Sequence, residues 1–183
     1  MTGHVLILHP NGGAQRDALT LVATVAAMGA GTLRFEYRLA GNLANVAIPG
    51  RAPARRAERL WERTCFEAFV APTAAAGYCE LNFSPSTEWA AYEFDGYRLG
   101  MRPLEPGAPP TIAVVEAGNE LRVTASMELP ALARAPWPWR VGLTAVVEDR
   151  AGERSYFALA HPRAKPDFHD AAGFAISLDG SAR

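Results

Sequence analysis

The chain has 183 residues, 49% hydrophobic and 20% charged. That suits one globular domain spanning residues 1–183, and it excludes both disorder and a (β/α)₈ barrel. Lys and Arg total 18 against 19 Asp and Glu, for a formal charge of −1, so no global basic field points to nucleic acid or an anionic membrane.

The first residues, Met1-Thr-Gly-His-Val-Leu-Ile-Leu-His9, carry no basic region and only a short apolar run. They do not read as a signal peptide, and no stretch approaches the roughly 20 apolar residues of a membrane span. The expectation is a cytoplasmic protein. Within this stretch, Val5–Leu8 reads as a short strand.

Leu19–Met28 holds spaced β-branched residues and is compatible with strand or helix. Thr32–Leu39 alternates Leu33, Phe35, Tyr37 and Leu39 against Arg34, Glu36 and Arg38, the pattern of a half-buried strand. Asn45–Glu62 breaks the pattern with Pro49, Gly50 and Pro53. Its arginines interleave with Glu58 and Glu62, which predicts a solvated crossover loop, with one helical turn available at Ala57–Trp61. An anion-binding loop is the alternative.

Thr64–Val70 and Tyr78–Phe83 flank a Pro/Ala/Gly loop and read as a hairpin. Trp89–Phe94, Thr111–Val115, Glu120–Met127, Arg140–Glu148, Arg154–Leu159 and Phe174–Leu178 follow as strands. Turn signals separate them at Asp95-Gly96, Gly118-Asn119, Ala151-Gly152 and Pro103–Pro110. Many short strands at even spacing predict an all-β sandwich or barrel.

Cys65 and Cys79 lie in the two hairpin strands. Their offset along the strands is roughly 10 Å or more, beyond the reach of a disulfide, so both are expected to be free and buried. Phosphate loops, His-Glu-x-x-His, Cys-x-x-Cys and Gly-x-Ser-x-Gly are all absent.

Alternation groups Cys65, Glu67 and Phe69 on one face, and Tyr78, Glu80 and Asn82 on one face of the next strand. Acids inside apolar strands are unfavourable unless paired or wet, so this face is either solvent or a polar pocket. Trp, Tyr, Asn, Glu and Arg together suit a polyhydroxylated ligand, since rings stack on its apolar faces and fixed polar groups take its hydroxyls.

The order Leu60-Trp-Glu, Cys65-Phe-Glu-Ala-Phe-Val70, Tyr78-x-Glu-x-Asn-x-Ser-Pro85, Trp89-x-x-Tyr92, with His161-Pro and Pro166-Asp-Phe-His169 near the end, resembles the DOMON-like superfamily. This superfamily includes the family 9 carbohydrate-binding modules. The chain looks most like a bacterial DOMON-like branch of unassigned activity. The resemblance implies a jelly-roll-type β-sandwich of two antiparallel sheets with a ligand site on or beside one sheet.

For a sugar ligand, the resemblance assigns Trp61, Glu67, Glu80, Asn82 and Arg98 to the site, with Trp89 as a second aromatic wall. Other relatives bind haem. Without a Cys-x-x-Cys-His motif a haem here would be non-covalent, ligated by Met101 or Met127 with His161 or His169. The expected function is non-catalytic binding of a small ligand, a sugar or polyol, with no cofactor. Haem binding and a ligand-free protein-interaction sandwich are the alternatives. An enzyme using Glu67 with His161 or His169 as acid and base is a further class. His161 and His169, eight residues apart, do not have a recognised metal-ligand spacing.

Overall fold

The computed structural model describes residues 2–11, 19–29, 31–73 and 75–179. Its strands are β1 (His4–Leu8), β2 (Leu19–Ala27), β3 (Thr32–Gly41), β4 (Cys65–Pro72), β5 (Tyr78–Phe83) and β6 (Trp89–Phe94). They continue as β7 (Arg102–Pro103), β8 (Thr111–Ala117), β9 (Glu120–Glu128), β10 (Trp139–Glu148), β11 (Arg154–Ala158) and β12 (Ile176–Leu178). One short helix, α1 (Pro130–Ala133), follows β9. Among the described residues no helix is long and apolar enough to cross a membrane.

The fold is all-β and antiparallel, of the expected sandwich type. Strand order is β7-β6-β5-β4-β10-β11-β1-β2-β3-β9-β8, with β12 also on β10. The two layers form one curled ladder because β1 belongs to both. His4–Leu6 pair with β2, and Ile7 and Leu8 pair with β11. Leu19–Ala27 is a strand rather than a helix, since it pairs with β1 on one side and β3 on the other.

In β3 the alternation works as read. Leu33, Phe35, Tyr37 and Leu39 are fully buried and face the second layer. The Phe35 ring meets Phe83 of β5 at 5.5 Å, and Tyr37 meets Phe66 of β4 at 5.1 Å. Burying such rings dominates the energetics of an inter-layer core. The Tyr37 hydroxyl donates to the Glu67 carbonyl at 2.6 Å, so a buried cross-layer hydrogen bond fixes the height of β4.

The first layer is half-buried, but the second is covered on both faces. Strands β4, β5, β6 and β10 bury nearly every residue. One cover is the segment 159–175, which crosses the outer face and docks through Phe174, 2% exposed and stacked on Phe69 at 5.7 Å. Gly142 of β10 makes room for it: a Cβ there would lie 2.8 Å from the Phe174 ring. Arg140 holds the segment by donating to the carbonyls of Ala171 and Phe174.

The basic stretch 45–63 is irregular apart from a 3₁₀ turn at Leu60–Glu62, one turn later in the chain than the start of the expected helical turn. Of its arginines only Arg59 pairs within the loop, with Glu62. Arg55, Arg56 and Arg63 reach Glu88, Glu105 and Glu148, and Arg51 donates to the Val114 carbonyl. The loop is therefore clasped to the sandwich through its charges. Cys65 and Cys79 are free and buried. They face opposite sides of the second layer, Cys79 toward the inter-layer core and Cys65 toward the outer face.

Candidate functional site

Register decides what the outer face of the second layer carries. Glu67 pairs with Asn82 and Thr144, Phe69 with Glu80 and Gly142, and Glu80 with Tyr92. Glu67, Phe69, Glu80 and Asn82 therefore share one face, and this face is a covered pocket rather than open solvent. Glu67 and Glu80 are diagonal neighbours on adjacent strands, at a Cα spacing of about 7–8 Å.

Glu67, Glu80, Phe69 and Phe94 contribute to a partly open pocket of about 380 Å³. Trp61 enters from the 3₁₀ turn, and Arg98 and Met101 from the loop after β6. Val146 of β10, Arg154 and Tyr156 of β11, and Pro166, Phe168 and His169 of the crossing segment complete the walls. Trp61 is further packed edge-on against Tyr92 at 5.9 Å.

The acids are poorly satisfied. Thr144 Oγ1 donates to Glu67 Oε2 at 3.3 Å, while Glu67 Oε1 is buried with no partner among the described residues. Burial, then the neighbouring Glu80, raises the Glu67 carboxyl well above its ordinary range. Asn82 Nδ2 donates to Glu80 Oε1 at 2.9 Å. Burial raises Glu80 as well, against the opposing pull of Asn82 and Arg98.

A hydrogen-bond chain positions the remaining polar groups. Asp167 accepts from Arg98 at 2.9 Å and from the Tyr97 hydroxyl at 2.6 Å, which ties the crossing segment to the β6–β7 loop. The Arg98 backbone N–H donates to the Tyr78 hydroxyl at 3.2 Å, and that hydroxyl lies 2.7 Å from His169 Nδ1. This pattern assigns the Tyr78 proton to Nδ1 as acceptor, leaving the ring proton on Nε2. Nε2 sits 3.7 Å from Glu80 Oε2, too far for a hydrogen bond. Burial, then Arg98, lowers the His169 imidazole to about 4, so it is neutral near pH 7.

Of the residues assigned to a sugar site, Trp61, Glu67, Glu80 and Arg98 line the pocket. Asn82 does not line it but is fully buried beneath, orienting Glu80. Trp89 lies elsewhere: its ring belongs to the inter-layer core, with the Arg56 guanidinium 4.6 Å from its centroid. In β6 the odd residues point inward, so Trp89 and Tyr92 cannot share a face. Of the haem-ligand residues, Met101 and His169 line the pocket. Met127 is fully buried between the layers. His161 Nε2 donates to the Ile7 carbonyl at 2.8 Å, beside His9 and outside this pocket. Among the described residues no group of three or more His, Cys, Asp or Glu side chains is placed to hold a metal.

Sequence reasoning missed Phe94, Arg154 and Tyr156 as lining residues. Phe168 lay inside the motif Pro166-Asp-Phe-His169, so its signal was present without a direction.

The sequence matches no family model and no curated protein. Among solved structures the chain is similar to a proposed carbohydrate-binding protein from Bacteroides uniformis. Identity is 12%, the TM-score 0.71, and the match covers 98% of this chain and 87% of that one. At that identity the likeness shows a shared fold. A family 9 carbohydrate-binding module from Caldicellulosiruptor kristjanssonii, solved with glucose, matches at 11% identity and TM-score 0.47 over 85% of this chain and 74% of that one. The same kind of module solved with cellotriose matches at 11% and 0.49, over 86% and 72%.

Proposed function

We propose that the protein is a non-catalytic binding module that takes a small carbohydrate or other polyol into the outer-face pocket. The observation that carries this reading is the meeting of Trp61, Phe94, Tyr156 and Phe168 with Glu67, Glu80 and His169 around one partly open cavity. Rings offer faces to the C–H surfaces of a sugar, and fixed acceptors and donors take its hydroxyls. The shared fold with a proposed carbohydrate-binding protein supports it. A neutral His169 held near 4 is a weak base at pH 7, which favours binding over acid–base catalysis.

Calorimetric titration against a panel of mono- and oligosaccharides and polyols tests the proposal. A saturable ligand is expected, and Trp61→Ala is expected to weaken it by about 1–3 kcal/mol if the indole is the stacking anchor. Unchanged affinity in that variant removes Trp61 from the site, and no ligand in the panel rejects the reading.

Haem is the second reading, favoured by Met101 and His169 lining the same pocket. The donor set fits it poorly. His169 gives Nδ1 to Tyr78 and turns Nε2 toward Glu80, and two buried carboxyls face the space a porphyrin would fill. Titration with haem is expected to leave the Soret band without a saturable, stoichiometric shift. A shift abolished by His169→Ala would reverse the ranking.

A further inference from the structure

We infer that the ligand of this pocket carries a protonated amine, as an amino sugar or aminopolyol does, and that the ammonium is received by Glu80 and Glu67. The inference rests on the polyol reading and narrows it.

The charges on the floor are the first ground. Glu67 is 2% and Glu80 5% exposed, and among the described residues neither pairs with a lysine or arginine. Arg98, the cation that acts on Glu80, is itself paired with Asp167. Arg154 reaches the pocket wall from the exposed first residue of β11 and, among the described residues, pairs with neither acid. His169 is the one basic ring near the acids, and it is neutral. Burial, and for Glu67 the neighbouring Glu80, push both carboxyls toward their neutral forms in the empty pocket, and a ligand cation supplies the counter-charge that lets them ionise.

Donor supply is the second ground. Glu80 Oε1 has Asn82 and Glu67 Oε2 has Thr144, but Glu67 Oε1 has no partner and Glu80 Oε2 has only the distant His169 Nε2. Two acceptors on one floor are thus left for the ligand. An ammonium brings three donors and no acceptor, matching two ionised carboxylates, whereas a hydroxyl brings one donor and two lone pairs that an ionised carboxylate cannot use. Trp61, Tyr156 and Phe168 also line the pocket, and aromatic rings favour a cation placed over them.

The test uses the full chain at pH 7 and compares each amino sugar with its neutral parent: glucosamine, galactosamine and mannosamine against glucose, galactose and mannose. N-acetylglucosamine, which keeps the nitrogen but loses the charge, is the control. At least one amino sugar is expected to bind about tenfold or more tighter than its parent, the scale of one charge-assisted contact. N-acetylation should abolish the gain. Glu80→Gln and Glu67→Gln, each checked for folding by circular dichroism, should bring amine and parent to within about twofold.

Equal binding of amine and parent by the wild type overturns the amine inference and leaves the polyol pocket standing. Cyclohexylamine binding as tightly as the amino sugar keeps the amine and overturns the polyol. A panel in which nothing binds overturns both. A preference that survives in both glutamine variants also overturns the assignment to Glu67 and Glu80.

Discussion

Glu67→Met is expected to raise the unfolding free energy by about 1–3 kcal/mol at pH 7 and to abolish ligand binding. Glu67 is 2% exposed, shares its face with Phe69 and Cys65, and holds one weak hydrogen bond from Thr144. Its other oxygen has none. Methionine has the same length and no charge to desolvate, so it keeps the packing and removes the penalty. The Tyr37 hydroxyl bonds the backbone carbonyl of residue 67, which the substitution leaves in place.

The pH dependence follows from the raised carboxyl. Its folded-state value lies above the unfolded value of about 4.3, so above that pH the native state binds more protons than the unfolded chain. Wild-type stability from this group is fully present below about 4.3 and declines as pH rises through the folded value. The advantage of the variant is therefore smallest in acid and grows toward alkaline pH. Urea unfolding at pH 4.5 and pH 8 checks this. A variant less stable than wild type at pH 8 would show that Glu67 is a structural acid. A stabilised variant that no longer binds is the signature of a residue kept for function at the expense of the fold.

The His169 ring is expected to titrate near 4 rather than near 6.5, with the loss of up to about 3 kcal/mol of stability between those values. Burial and the Arg98 guanidinium depress it, opposed by Asp167. Since its folded-state value lies below the unfolded one, the unfolded chain binds more protons in that window. Stability from this group is intact above about 6.5 and falls as pH drops through 4. Glu67 and Glu80 act in the opposite sense as they take up protons, so the total acid curve is shallower than the His169 contribution alone. An NMR titration of the ring isolates the site, and the difference between wild type and His169→Gln isolates its share of the stability. A midpoint at the ordinary histidine value would mean that the crossing segment opens in solution and wets the ring. Charging His169 also breaks its acceptance from Tyr78, so ligand affinity should fall along the same acid limb.

Much of the architecture was written in period-two patterning. Leu33, Phe35, Tyr37 and Leu39 announced both a strand and its buried face, because a layer with one wet side must alternate. Leu19–Ala27 carried the same alternation under a composition that also allowed a helix, and only its pairing with β1 and β3 removed the ambiguity. The hairpin β4–β5 was legible too, with Glu67 and Glu80 inside it. Whether its outer face met water was not, since the same pattern serves either case.

Trp89 marks where local reading fails. Its face relative to Glu80 depends on the turn between β5 and β6, which pairs Phe83 with Trp89 and sends both rings into the core. A shift of one residue would have reversed every side chain of β6. The β7 pair, Arg102–Pro103, is too short to leave a pattern.

The sequence by itself determined an all-β chain, its strand boundaries to within a few residues, its free cysteines and the two acids of the hairpin, because these depend on near neighbours. Only the tertiary structure decided that the acids lie under cover. The cover is supplied by residues far along the chain: His169 meets Tyr78 across 91 positions, and Arg98 meets Asp167 across 69. Contacts of that span rest on the layer geometry and on the room left by Gly142 for Phe174, and neither is encoded in any short window of residues.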